Sequence, residues 1–379
     1  MKLVVAPDSF KGSLSASEIC NIVERAAVDV FGEVEVLKLP MADGGEGTVE
    51  SLLAALDSEE IHVPVKNALG EDVTAMYGIF DGDKAIIEMA AASGLPLIPK
   101  EKRNIMKSST YGTGQLLIDA MQRGCKTIYI GIGGSATNDG GMGCAEALGA
   151  KFLNKSGEAI EGIPANFKQI YDIDCSNIHP LVEKTRIIIM SDVKNPLCGP
   201  TGATYIFGKQ KGASGADFIL LEEGMNHYIS IVEKVCDKQV AKIEGAGAAG
   251  GLGAGLLAFT NASMRSGIQT VMDILTLEEK IDGADLVITG EGMMDHQSAY
   301  GKVAYGVGTA CKNKNIPCVA IVGGMGERAE AMYEHGITSI MTTTNGIMDL
   351  STAVERAPEL CYSAAERIFR ILLVQKVYN

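Results

Sequence analysis

The side chains able to bind and move charge gather in a few glycine-framed stretches. The longest is Gly131-Ile132-Gly133-Gly134-Ser135-Ala136-Thr137-Asn138-Asp139-Gly140-Gly141. Glycines there let a backbone approach an anion, and a helix starting after them would present free N–H groups. Ser135, Thr137 and Asn138 add donors, and Asp139 adds a carboxylate. The competing reading is a tight turn with polar caps; the length of the block favours an anion site. In Asp43-Gly44-Gly45-Glu46-Gly47-Thr48, the two acids could hold Mg2+ or act as caps on a helix dipole. Thr289-Gly290-Glu291-Gly292-Met293-Met294-Asp295-His296-Gln297-Ser298 is a third loop of this kind, again with two acids. Asp192, in Ser191-Asp192-Val193-Lys194-Asn195-Pro196, suits a general base, a metal ligand or an Asx turn. Lys209 and Lys211 sit in a glycine frame, and Lys11 lies two residues from Ser9. These lysines are countercharges for a phosphate or carboxylate, or plain surface.

These stretches need strand ends and helix starts to hold them. Residues 3–6 read as a buried strand and 34–39 as a second strand, and 13–31 as a helix with Ser13 or Ser15 as N-cap and Glu18 in the capping-box position. A helix follows the 43–48 loop to about residue 56. This βαβα start belongs to a parallel, doubly wound α/β sheet. Residues 61–66, 73–80 and 85–89 then read as hairpin-linked strands of another sheet. Helices near 114–123 and 145–148 alternate with strands at 127–130 and 186–190. The βα rhythm returns with strands at 285–289, 318–322 and 337–341, helices at 302–313 and 327–335, and a last helix from 350 to 377. The expected architecture is a discontinuous parallel-sheet domain made of 1–60 and 281–379, with a second α/β domain, 61–280, inserted. The cleft between them would be the default ligand site.

At 379 residues the chain is long enough for two domains. Hydrophobic residues at 46% and charged residues at 21% exclude a disordered chain. The net charge of −14 and the lack of a basic stripe exclude nucleic-acid and anionic-membrane partners. Anions must therefore be bound locally, by backbone N–H groups, a few lysines and a divalent cation. Nine cysteines without C-x-x-C, and a short apolar start that stops at Pro7, point to the cytoplasm.

Several motifs are missing: the G-x-x-x-x-G-K-[ST] P-loop, the protein-kinase set, G-x-S-x-G and H-E-x-x-H. Gly245-Ala246-Gly247-Ala248-Ala249-Gly250 matches G-x-G-x-x-G, but no convincing strand precedes it. Close helix packing is the better reading.

Together the blocks resemble the bacterial type-1 glycerate kinases. The resemblance is carried by APDSFKGSLSA from Ala6, MADGGEGTVE from Met41, IEMAAASGL from Ile87, GIGGSATNDGG from Gly131, SDVKNPLCG from Ser191, FGKQKGA from Phe207, GAGAAGGLGAG from Gly245 and TGEGMMDHQSAYGK from Thr289. These span nearly the whole chain in the family's order. The sequence departs at Met293-Met294, where a more polar pair would be expected. The resemblance implies ATP-dependent, Mg2+-assisted phosphorylation of D-glycerate, 2-phosphoglycerate being the favoured product. It also implies a flavodoxin-like (Rossmann-like) domain carrying an inserted α/β domain.

In that reading Asp192 is the base and Lys11 and Ser9 meet substrate or phosphate charge. Gly133, Gly134, Ser135, Asn138 and Asp139 cradle phosphates or the glycerate carboxylate. Asp43, Glu46, Gly290, Glu291, Asp295 and Gln297 contact substrate, with Asp295 and Glu291 as metal ligands. Lys209 or Lys211 meets the transferring phosphoryl. The expected assembly is a monomer or homodimer. Two rivals stand beside it: a nicotinamide-dependent oxidoreductase of a small hydroxy acid, and a non-catalytic small-anion binding protein.

Overall fold

The structure, a computed structural model, describes residues 1–299 and 301–377. Its strands, in chain order, begin with β1 (Lys2–Val5), β2 (Glu35–Lys38), β3 (Ser58–Lys66), β4 (Asp72–Phe80), β5 (Lys84–Glu88), β6 (Thr127–Gly131) and β7 (Lys151–Leu153). They continue with β8 (Ala159–Ile160), β9 (Asp172–Asp174), β10 (Arg186–Met190), β11 (Ala262–Arg265), β12 (Leu286–Met294), β13 (Cys318–Met325) and β14 (Ser339–Thr342). The chain forms two compact units. One comprises Met1–Asp43, Glu50–Leu56 and the segment beginning at Gly267; the other comprises Gly44–Val49 and Asp57–Ser266. Residues 267–280, placed by the sequence reading in the inserted part, thus group with the chain termini.

The first unit holds a five-stranded parallel sheet in the order β14-β13-β12-β1-β2. This is the doubly wound flavodoxin-like order, whose direction reverses between β1 and the third strand in sequence, here β12. Helix Ala16–Phe31 starts on the expected capping box: Ser15 Oγ accepts the Glu18 N–H at 3.2 Å, and Glu18 Oε2 accepts the Ser15 N–H at 2.8 Å. A cap of this kind contributes about 1 kcal/mol. The helix buries Ile19, Val23 and Ala27 with Phe369 of helix Ala357–Val377, against Leu3, Val5 and Ile288 of the sheet. Each large side chain buried there contributes about 2 kcal/mol.

Two expectations change in this unit. The stretch from Gly290 is not a loop. β12 continues through Met294, pairing Glu291 with Val322 and Met293 with Gly324 of an equally extended β13. Glycines permit the close approach, since a Cβ on Gly290 would collide with the Ile321 carbonyl. The last helix is two, Leu350–Glu355 and Ala357–Val377, because Pro358 has no N–H to give the Val354 carbonyl.

The second unit holds a six-stranded sheet, β11-β10-β6-β5-β4-β3, parallel from β11 to β5 and antiparallel across β4 and β3. The alternation of Ile61, Val63 and Val65, all buried, fixes the register of β3. A small antiparallel sheet, β8-β7-β9, completes it. The sequence reading assigns no element to the 20-residue helix Asp217–Cys236, which buries Leu221, Met225, Tyr228 and Val232 at helical spacing.

Candidate active site

In open α/β sheets ligands sit beyond the carboxyl ends of the strands, at the switch point. In the first unit that point lies where β1 and β12 end. The Asp8 N–H donates to the Gly290 carbonyl at 2.9 Å, tying the turn after β1 to β12. A cavity of about 580 Å3 opens there. Its polar part is lined by Asp8, Ser9, Lys11, Asp43, Glu291 and Lys302. Four of these were expected site residues; Asp8 and Lys302 were not assigned a role.

Asp8 is buried, and its Oδ1 accepts the Ser9 N–H at 2.7 Å. Burial and the neighbouring Asp43 carboxylate push its carboxyl up to about 7, with Glu291 adding to the rise and the Ser9 N–H and Lys11 opposing it. Glu291 is also pushed up, by burial, against Ser298 and Lys302. Its Oε2 lies 3.3 Å from Lys302 Nζ, while its Oε1 is buried without a hydrogen-bond partner. Asp295 serves its own turn, Oδ1 accepting the N–H of the exposed Gln297 at 2.8 Å. Among the described residues no group of three or more acids, histidines or cysteines could hold a metal. Tyr300 of the same motif lies outside the described residues.

The second unit carries the 131–141 stretch at the end of β6. Asp139, expected among the anion-cradling residues, turns its carboxylate into its own unit. It is fully buried and accepts from the Thr110 N–H and Oγ1, both at 2.7 Å, and from the Gly141 and Gly143 N–H groups, both at 3.1 Å. Burial raises its carboxyl against these bonds, which lower it. The helix-start N–H groups expected for an anion are therefore satisfied by Asp139, which pins the loop.

The exposed part of the stretch is Gly133-Gly134, followed by buried Ser135. Below it lies Lys211, only 2% exposed, its Nζ donating to Ser135 Oγ at 2.8 Å and to the Thr137 carbonyl at 2.7 Å. Burial pushes its ammonium down to about 7, with Asp139 as the one opposing charge. Asn138 donates to Thr204 Oγ1 at 3.1 Å, and its Oδ1 is buried without a partner. Lys209 is exposed.

The Gly/Ala block packs closely against this loop. A Cβ on Gly250 would collide with the Thr137 carbonyl, and one on Gly247 with the Pro196 carbonyl. Asp192 is exposed just after β10. At the 43–48 stretch the capping is done by a residue the sequence reading missed. Glu88 Oε1 accepts the Val49 N–H at 2.9 Å, and Glu46 is exposed. Nothing local in the sequence links residues 88 and 49; only the fold brings them together.

The profile of the Glycerate kinase family matches residues 3–373. The chain belongs to the glycerate kinase family. It is 45% identical over 368 residues to the glycerate kinase of Halalkalibacterium halodurans, covering 97% of each chain. It is 43% identical over 375 residues to the glycerate 2-kinase of Escherichia coli, covering 99% of this chain and 98% of that one. The crystal structure of a protein assigned as glycerate kinase 2 in Salmonella typhimurium LT2 superposes with a TM-score of 0.90 at 39% identity, over 99% of both chains. The family membership and the parallel α/β fold implied by the sequence motifs both hold. No helix among the described residues is long and apolar enough to cross a membrane.

Proposed function

We propose that the protein phosphorylates D-glycerate at its 2-hydroxyl, with ATP as donor. The observation that carries this is full-length likeness to a glycerate 2-kinase. The chemistry of both units supports it, since phosphoryl transfer needs positioning and charge neutralisation more than covalent work by the protein. Asp192, an exposed carboxylate at a strand end, accepts the hydroxyl proton as the oxygen attacks the γ-phosphorus of ATP and the bond to the bridging oxygen breaks, releasing ADP. Gly133, Gly134 and Ser135 offer a backbone that an anion can approach, and the ammonium of Lys211 beneath Ser135 supplies positive charge. Asn138 and Asp139 hold that loop in shape. Ser9 and Lys11 meet phosphate or substrate at the switch point.

Magnesium usually keeps few protein ligands beside substrate phosphates, and the unpartnered Glu291 Oε1 fits that demand. Glu291 would hold the ion, which would neutralise charge on the phosphate oxygens. Asp295, with one oxygen in its own turn, would assist. All nine cysteines are free thiols, which supports a reducing, cytoplasmic setting, where the enzyme would act as a monomer or homodimer. Purified protein given D-glycerate and Mg-ATP, with the product read by phosphorus NMR, tests the reading. A phosphomonoester on the 2-oxygen is expected. A 3-phosphate overturns the regiochemistry, and no transfer at all overturns the activity.

A further inference from the structure

The switch-point cavity is larger and more apolar than a three-carbon acid requires. At about 580 Å3 it falls among cavities that enclose drug-sized ligands. Its polar floor, with Asp8, Asp43 and Glu291 beside Lys11 and Lys302, is only part of the lining. The rest of the lining includes Met293, Met348, Leu350 and Val354, from the end of β12 and the segment after β14, with Thr343, Thr344 and Asp349 among them. Glycerate, which has no apolar face of any size, would leave these apolar side chains wet.

We infer that this cavity seats the nucleotide, its purine lying on the methionine–leucine–valine wall and its sugar and phosphates on the charged floor. The inference rests on the phosphotransferase reading and says which ligand the first unit takes. Three observations carry it. The flavodoxin-like strand order provides a mononucleotide seat at this same switch point. The floor offers an acceptor without a donor: Asp8 Oδ2 accepts no hydrogen bond among the described residues. Ribose hydroxyls are donors of the required kind. Methionine thioethers, here Met293 and Met348, make favourable contacts with aromatic rings. Met293, unexpectedly apolar on sequence grounds, thereby gains a purpose. A second copy of the chain is a poorer occupant, because a flat partner surface could not reach the buried carboxylates of a concave floor.

The chain has no tryptophan, so Leu350→Trp places a lone indole on the wall at a residue 79% exposed. Its emission is titrated with ADP, adenosine and D-glycerate separately. Saturable change with ADP and adenosine, and none with D-glycerate, is expected. Change with D-glycerate alone, change with protein concentration alone, or no change at ADP levels well above those inhibiting the native enzyme overturns the seat. Val354→Asp is the second probe. The KM for ATP should rise about tenfold or more, with less than about a twofold rise for D-glycerate. Equal rises, or none, overturn the proposal. If the native chain transfers no phosphoryl to glycerate yet ADP still changes the emission, the seat stands and the reaction assignment fails.

Discussion

Lys211→Met should make the second unit more stable near neutral pH while disabling the enzyme. The buried ammonium is held at about 7 against an ordinary 10.5, a gap worth about 5 kcal/mol. Because the folded value is the lower one, the unfolded chain binds the extra proton between these limits. The penalty is therefore fully present below pH 7 and fades as pH rises towards 10.5. Methionine removes it but leaves Ser135 Oγ and the Thr137 carbonyl without their donor, at a cost of about 1–1.5 kcal/mol each. The balance is a gain of about 2 kcal/mol at pH 6–7, or about 4–8 °C in Tm for a unit of this size. By pH 9 the native protein has regained about 3 kcal/mol, so the order reverses. Thermal unfolding of both proteins from pH 6 to 9 checks this, alongside a kcat/KM expected to fall about a hundredfold. A variant less stable than the native protein at pH 6, or a Tm difference flat with pH, would refute the claim that a desolvated charge sits under the loop.

Asp192→Asn should lower kcat about a hundredfold with Tm unchanged to within about 1 °C, since the side chain is exposed; near-native turnover removes its role as base. Asp8→Asn should raise stability by about 3 kcal/mol at pH 8. The folded carboxyl, at about 7, lies above its ordinary 3.8, so stability present below pH 4 is lost as pH rises to 7. Metal-free urea titrations at pH 4 and pH 8 should show the difference vanishing at the lower pH. Gly250→Ala should destabilise by about 2–4 kcal/mol, because φ is +67° and a Cβ would press on the Thr137 carbonyl. A Tm unchanged from the native protein would mean that the 131–141 loop has room to give.

The sequence shows clearly those features whose causes are local. Ser15 and Glu18 announce their helix three residues apart, and the alternation of Ile61, Val63 and Val65 announces β3. The candidate site stretches were recognisable because glycine and small polar residues cluster along the chain. What those residues do was less legible, because burial and pairing come from distant segments. Asp139 reads as a ligand-facing acid until Thr110 arrives to claim it. Lys211 reads as a surface cation until the fold places it under Ser135. Asp8 owes its weakened acidity first to burial by the fold and then to Asp43 and Glu291, which lie far along the chain. The extension of β12 was hidden because glycine reads as a turn, whereas here it admits a neighbouring backbone.

The neighbour of β1 is β12, which begins at Leu286. On the ribosome, the first strand must therefore wait for most of the polypeptide to be made. At about 5–20 residues per second that delay is about 15–60 s, during which β1 and β2 expose an apolar, unpaired edge. The intervening residues can meanwhile assemble their own sheet. Nascent chains stalled before Leu286 should consequently need chaperone protection at their N-terminal end above all.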